Sequence, residues 1–432
     1  MKNITNNPFT LVKIRGSYGA TGNEDLNNSY VQYNNYLVNN GGFSGNGGST
    51  SYNGVTVITP NFRNGVAQKD LSWEKSTQWN IGTDIEIQNG KYALTFDVYN
   101  KEVKDKLFNV DLPATSGYDV AYTNAFSVRN SGMELTFNAT PISKVVRWNT
   151  SFNISYNKNQ IMSLPNGGRD IILSGDRFDK THILSVGSPI NAFYLYQTKG
   201  VFSRTGNIPQ NPFTGERYRN SNGTFNEGDF YLTDLDGDYF VDIFNDGINP
   251  DKMPIGDPNP RFTGGWTNTF NYKNFSLSIF ANFTFKRDVL NLFDSDRFAN
   301  SQDGNAVANF ASFSTPDLDR LNIWRNPGDN AEYAKYDLGT YRYYYTGAQT
   351  FFLEKGGYLR IKNITLGYDL GAKTLSKWGL SQFKVFAMMD NVHMFQQSKK
   401  LPDAEAVNGY GEYNGNGYPI PKKYTLGLQV QF

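Results

Sequence analysis

The last nine residues, Tyr424-Thr425-Leu426-Gly427-Leu428-Gln429-Val430-Gln431-Phe432, decide the fold. Every even position is aromatic or aliphatic, and every odd one is Thr, Gly or Gln. A strict period of two makes a strand with one apolar and one polar face. A chain that stops on such a strand, with an aromatic last residue, fits a membrane-spanning β-barrel: the apolar face meets lipid and the polar face a lumen.

The alternation recurs upstream. Phe275, Leu277, Ile279, Ala281, Phe283 and Phe285 alternate with polar residues, and Phe280 breaks the pattern. Residues 79–88, 92–98, 133–138, 148–157 and 364–370 alternate in the same way. These runs are about ten residues long, the length of a tilted membrane strand. Short turns at Gln88–Lys91, Pro141–Lys144 and Asn271–Asn274 alternate with long loops expected near 19–72, 105–123, 204–260 and 287–356. Short turns on one side and long loops on the other suit an outer-membrane barrel; a compact soluble domain rarely carries several long loops.

About eleven strands are expected, near 9–18, 73–88, 91–104, 124–139, 145–158, 190–203, 261–273, 275–288, 357–370, 380–391 and 420–432. Single-chain bacterial barrels use an even number. An odd count means that one strand is missed or invented, or that the chain is incomplete. Trp79, Tyr92, Trp148, Tyr156 and Tyr368 lie near strand ends, where an interfacial aromatic girdle belongs.

Composition narrows the function classes. The chain of 432 residues has 41 basic and 40 acidic side chains, so nothing electrostatic favours nucleic acid. Cysteine is absent, which removes disulfides and thiolate metal sites and suits passage through an oxidising periplasm. Only His182 and His393 are available for histidine chemistry. The mean hydropathy of −0.54 would ordinarily indicate a soluble protein. No run approaches the ~18 apolar residues of a membrane helix, a test that barrels evade because half of each strand is polar. The first residues carry no apolar signal region. A signal peptide is therefore expected to have been removed, or to lie in a longer polypeptide of which residues 1–432 form the C-terminal portion.

Six segments, in order, carry a resemblance. They are Leu11-Val-Lys-Ile-Arg-Gly-Ser-Tyr-Gly-Ala-Thr-Gly-Asn23, Leu71-Ser-Trp-Glu-Lys-Ser-Thr-Gln-Trp-Asn-Ile-Gly82, and Pro113-Ala-Thr-Ser-Gly-Tyr118 with Ser127-Val-Arg-Asn-Ser-Gly-Met-Glu-Leu135. The others are Ile255-Gly-Asp-Pro-Asn-Pro-Arg-Phe-Thr-Gly-Gly265, Tyr358-Leu-Arg-Ile-Lys-Asn-Ile-Thr-Leu-Gly-Tyr368 and Tyr418-Pro-Ile-Pro-Lys-Lys-Tyr-Thr-Leu-Gly-Leu428. Together they resemble the SusC/RagA family of TonB-dependent outer-membrane transporters. The resemblance implies an all-β fold, a transmembrane antiparallel β-barrel that is about half of a plugged barrel of about 22 strands. It also implies active import of bulky nutrients across the outer membrane of a Gram-negative bacterium, with oligosaccharides the leading cargo and peptides the alternative. A SusD-like surface lipoprotein would cap the barrel, and the TonB complex would act through a plug that this chain lacks. The rest of the barrel and the plug would come from the same polypeptide or a separate chain, because open sheet edges are untenable in lipid. No residue would do covalent chemistry and no cofactor would be required. The competing readings are a surface scaffold or adhesin barrel, and a soluble β-rich glycan-binding module or glycosidase.

Two loop features carry candidate chemistry. In Asp234-Leu-Asp236-Gly-Asp238-Tyr-Phe240-Val-Asp242, carboxylates at positions one, three, five and nine, with the Phe240 carbonyl at seven, match part of a calcium loop. Tyr239 stands where that loop needs Gly, and Asn245 where it needs a bidentate Glu. The alternative is a solvated acidic turn. A glycosidase acid/base pair is disfavoured, because neighbouring Asp residues in a loop do not set two carboxyls across a cleft. The second feature is Tyr341-Arg342-Tyr343-Tyr344-Tyr345 with Trp324, whose aromatic faces suit sugar rings and whose Arg suits hydroxyls. Packing against the barrel rim or a partner is the alternative.

Overall fold

The computed structural model describes residues 8–23, 33, 36–39, 57–60, 65–173, 181–243, 248–301, 316–336, 345, 348–371, 375, 379–415 and 417–432. One antiparallel sheet dominates them. Its ten strands are β1 (Phe9–Asn23), β2 (Glu74–Ile87), β3 (Tyr92–Asp111), β4 (Val120–Ser143) and β5 (Val146–Ser163), followed by β6 (Phe262–Tyr272), β7 (Phe275–Phe285), β8 (Tyr358–Asp369), β9 (Gln382–Gln396) and β10 (Lys423–Gln431). Their spatial order is their chain order, with β1 and β10 at the two edges. The sheet is the wall of a partial transmembrane barrel.

The period of two sets the two faces. Ser155, Thr263 and Thr284 share one level of the polar face; Leu277, Phe270 and Leu366 share one level of the apolar face. On β10 the apolar face is bare, with Leu426 85% and Leu428 68% exposed. Two aromatic belts bound this face. Tyr156, Phe262 and Phe285 align at one level, and Tyr272, Phe275 and Tyr368 at the other. Lys286 lies 5.6 Å over the Phe262 ring and Lys273 5.3 Å over Tyr272, so each belt carries an ammonium suited to headgroups. The eleven residues of β6, running from one belt to the other, match the length that spans hydrocarbon. Phe280, the exception in the alternation, turns its ring to the polar face, where a Cβ on Gly265 would meet it at 3.2 Å.

The expected eleventh strand, 190–203, is not part of this wall. It forms two short strands, Ala192–Tyr196 and Thr198–Val201, in separate small sheets. All five residues of Ala192–Tyr196 are buried, as expected of a strand covered on both faces, not of one with a lipid side.

The connections also differ from expectation. Strand β1 runs through to Asn23, into the segment read as loop. The segment 105–123 is mostly strand: β3 and β4, of 20 and 24 residues, form a hairpin that outreaches the membrane band. The loop expected from 204 begins at 164, directly after β5. The long connection 397–422, between β9 and β10, was not anticipated. All these long connections lie opposite the short turns 88–91, 144–145 and 273–274.

The main hydrophobic core is not in the barrel wall. It lies in the connections 164–261 and 286–357, where Phe193, Leu195, Phe202, Tyr218, Phe225 and Phe230 pack with Leu290, Phe298, Tyr333 and Tyr345. Stacked and edge-on rings hold it, including Phe202 on Tyr231 at 4.6 Å and Tyr218 on Phe225 at 4.9 Å. These connections form a folded cap on the barrel.

Candidate functional site in the lumen wall and cap

The polar face of the wall is laced with charge. Arg15 on β1 reaches across two strands to Asp84 at 2.9 Å and Asp97 at 2.9 Å. It can do so because Gly82, directly opposite Arg15, offers no side chain to block the path. On β8, Arg360 and Lys362 face the connection 397–422, which folds against this wall as a strap. Arg360 holds Asp403 at 2.6 Å and Glu405 at 2.8 Å, and Lys362 holds Glu405 at 2.6 Å. Arg287 donates to the Ala404 carbonyl. Lys400 carries the strap into the cap, 2.7 Å from Glu332 and over the rings of Tyr333 and Phe351.

Further along, the strap meets the cap at a buried histidine. His182 Nε2 lies 3.0 Å from the Tyr410 carbonyl, and Nδ1 lies 3.1 Å from the Thr181 hydroxyl and 3.7 Å from Glu412. Phe193 and Tyr410 pack around the imidazole ring. Burial pushes the His182 pKa down; the Tyr410 carbonyl and Glu412 oppose that shift.

The acidic loop converges differently from its sequence spacing. Ligand oxygens of Asp234, Asp236 and Asp251 lie within 4.8 Å of one another. Asp251 stands outside the motif and is 1% exposed. Its carboxylate accepts from the Leu235 N–H at 3.0 Å. Burial, with Asp236 and Asp234 alongside, pushes its pKa up to about 6. Asp238 instead accepts from the Phe240 N–H at 2.7 Å, and Asp242 from the Ser221 hydroxyl at 2.8 Å. Phe240 pairs with Arg219 in a short parallel ladder. Tyr239, where a calcium loop has Gly, adopts φ +66° all the same. Of the five expected ligands, the converging group thus holds Asp234 and Asp236. Three carboxylates this close repel one another, and a hard cation would relieve that repulsion. Asn245 lies outside the described residues.

The aromatic cluster divides. Tyr345 is fully buried, stacked on Phe298 at 4.7 Å, with its hydroxyl donating to the Ala334 carbonyl at 2.6 Å. It is a core residue and cannot offer a face to cargo. Tyr341, Arg342, Tyr343 and Tyr344 lie outside the described residues. Trp324 is half-buried, and its indole N–H donates to the Ser203 carbonyl at 3.2 Å.

Comparison with known proteins agrees with this architecture. The family model described as "TonB dependent receptor-like, beta-barrel" matches residues 5–251. The chain is 30% identical to TonB-dependent receptor P3 of Formosa agariphila over 99% of this chain and 40% of that protein. It is also 30% identical to TonB-dependent receptor SusC of Bacteroides thetaiotaomicron, over 99% of this chain and 38% of that protein. Among solved structures, that of the RagAB peptide transporter superposes with a TM-score of 0.74 at 22% identity, covering 100% of this chain and 42% of that one. The chain therefore spans about two fifths of the length of the curated relatives it matches.

Proposed function

The chain belongs to the TonB-dependent receptor-like β-barrel family, and from that premise we propose that it imports bulky nutrients, oligosaccharides first, as part of a SusC-like transporter. Proteins of this family are outer-membrane barrels and transporters, not enzymes. The observation that carries the reading is a charged, amide-rich wall roofed by a cap with its own aromatic core. Such a roof restricts entry, and a polar wall gives a hydroxyl-rich solute hydrogen-bond partners along its path. A SusD-like lipoprotein would close the extracellular side, and TonB would supply energy through a plug outside these residues. The bare apolar stripe of β10 argues against the soluble-module reading.

Uptake tests this. A strain lacking the gene should lose growth on the cognate oligosaccharide and regain it with the gene and its lipoprotein partner. Unchanged growth on every oligosaccharide and peptide tried would favour the scaffold reading. For the acidic loop we propose calcium, held by Asp234, Asp236 and Asp251. Calcium should raise the cap's melting temperature, and Asp251→Asn should remove that response; equal responses in both proteins would refute the site.

A further inference from the structure

We propose that a cavity beside Trp324 is a saccharide-binding subsite of the cap, an inference that rests on the oligosaccharide-import reading above. The cavity measures about 540 Å3 and is lined by Trp324, Tyr336, Arg325, Lys335, Asp319 and Ile323 among others. That volume lies within the range of small-molecule pockets.

The indole is fixed before any ligand arrives. One part of the ring rests on Gly228: a Cβ there would meet Trp324 Cε3 at 2.6 Å and Cδ2 at 2.9 Å. Gly228 holds φ +86°, so glycine serves both the turn and the close approach. The indole N–H is committed to Ser203, which leaves ring surface and no donor for a ligand. Tyr336 is held edge-on to Phe298 of the cap core at 6.5 Å. Two immobilised aromatics therefore enter the cavity wall at little entropic cost on binding.

The polar groups beside them suit hydroxyls. Arg325 and Asp319 stand 4.0 Å apart, exposed and loosely paired, so a donor and an acceptor face the opening together. Vicinal hydroxyls of a pyranose can accept from the guanidinium and donate to the carboxylate while the ring's C–H face lies on the indole. Lys335, 3.1 Å from Asp229, adds an anchored ammonium.

A peptide is the weaker fit. A common way to hold an extended peptide is to add it as a strand to a free backbone edge. Here the N–H groups of several lining residues are committed: Ile323 to Leu321, Trp324 to Tyr333, and Lys335 to Gly228. Arg325 N–H donates to Asp329 at 2.9 Å.

The test uses the intact transporter purified in detergent, probed with an array of neutral linear oligosaccharides and an array of short peptides. The wild type should bind at least one oligosaccharide. Trp324→Ala should bind it roughly tenfold more weakly, Trp324→Phe should fall between, and Arg325→Ala should lose several-fold. Gel heat-modifiability should be unchanged in all. If Trp324→Ala disturbs the cap, Tyr336→Ala and Arg325→Ala still decide the matter. Oligosaccharide binding that none of these variants weakens would overturn the subsite and leave the import reading standing. Peptide binding that depends on Trp324 would overturn the saccharide assignment. Binding to neither array, with no uptake in cells, would overturn both.

Discussion

The barrel wall and the cap use the same residues in opposite ways. In the wall, Phe275, Leu277, Ile279 and Tyr368 point away from the protein, and lipid supplies the apolar phase. In the cap, Phe193, Phe202, Tyr218 and Phe230 point inward, and protein supplies it. The wall is held by backbone ladders between strands that follow one another in wall order. The cap is held by rings brought together from distant connections. One chain thus contains a membrane protein and something close to a water-soluble domain, and hydrophobicity alone does not tell them apart. What separates them is periodicity: regular alternation in the wall, and in the cap isolated aromatics with short apolar runs such as Ala192–Tyr196.

The largest expected effect tests the cap's independence. Phe230 is fully buried, 5.1 Å from Tyr345 and 4.7 Å from Phe351. Phe230→Ala should cost the cap about 3–5 kcal/mol through lost burial and a cavity, while the barrel keeps its heat-modifiable migration on gels. Concerted loss of the barrel would mean that the two regions are a single cooperative unit. Next comes the wall's solvent. Ile279 sits midway along β7 on the apolar face, opposite Asn268 and Ile364. Ile279→Arg should cost about 2–4 kcal/mol in bilayer refolding. Its neighbour Ser278→Arg, on the polar face, should cost far less, and equal penalties would reverse the facing argued above.

The smallest effect concerns the seam between strap and cap. Burial of His182 disfavours its charged form; among the described residues Glu412 is the charged group acting on it, and Thr181 and Tyr410 are its other polar neighbours. A histidine whose folded pKa is depressed contributes full stability above its unfolded pKa of about 6.5 and loses it as pH falls below that value. Hydrogen exchange in residues 408–413 should therefore accelerate on acidification through that range. His182→Gln should flatten the dependence, and a profile unchanged by the substitution would place the proton elsewhere.

Much of the wall was legible in the sequence because a strand with one lipid face writes its period into every second residue. Seven of the ten wall strands, β2 to β8, also follow turns or loops that the residues announce, but 190–203 misled. Ala192-Phe-Tyr-Leu-Tyr196 does not alternate; the run is apolar throughout, the mark of a strand covered on both faces, and that signal was available. The length of β3 was hidden because its outer end carries charges such as Lys104, Asp105 and Lys106, which read as loop. Tyr345 was misjudged for a chemical reason: a tyrosine that stacks in a core and one that stacks on a ligand look alike in sequence. Asp251 could not have been found by spacing, since the fold alone brings it to Asp234 and Asp236.

The cap's topology also dictates an order of events. Its core joins residues from 164–261 with residues from 286–357, and its seam needs the strap 397–422. Between these segments the chain must lay down β6 to β9. Three wall hairpins close over short turns, whereas pairing β5 with β6 and β7 with β8 closes the connections 164–261 and 286–357 that form the cap. Completing the wall therefore brings the cap's segments together. Until the connection 286–357 has followed β7, the aromatic segments of 164–261 lack their packing partners, and this interval is when the chain most needs protection from aggregation.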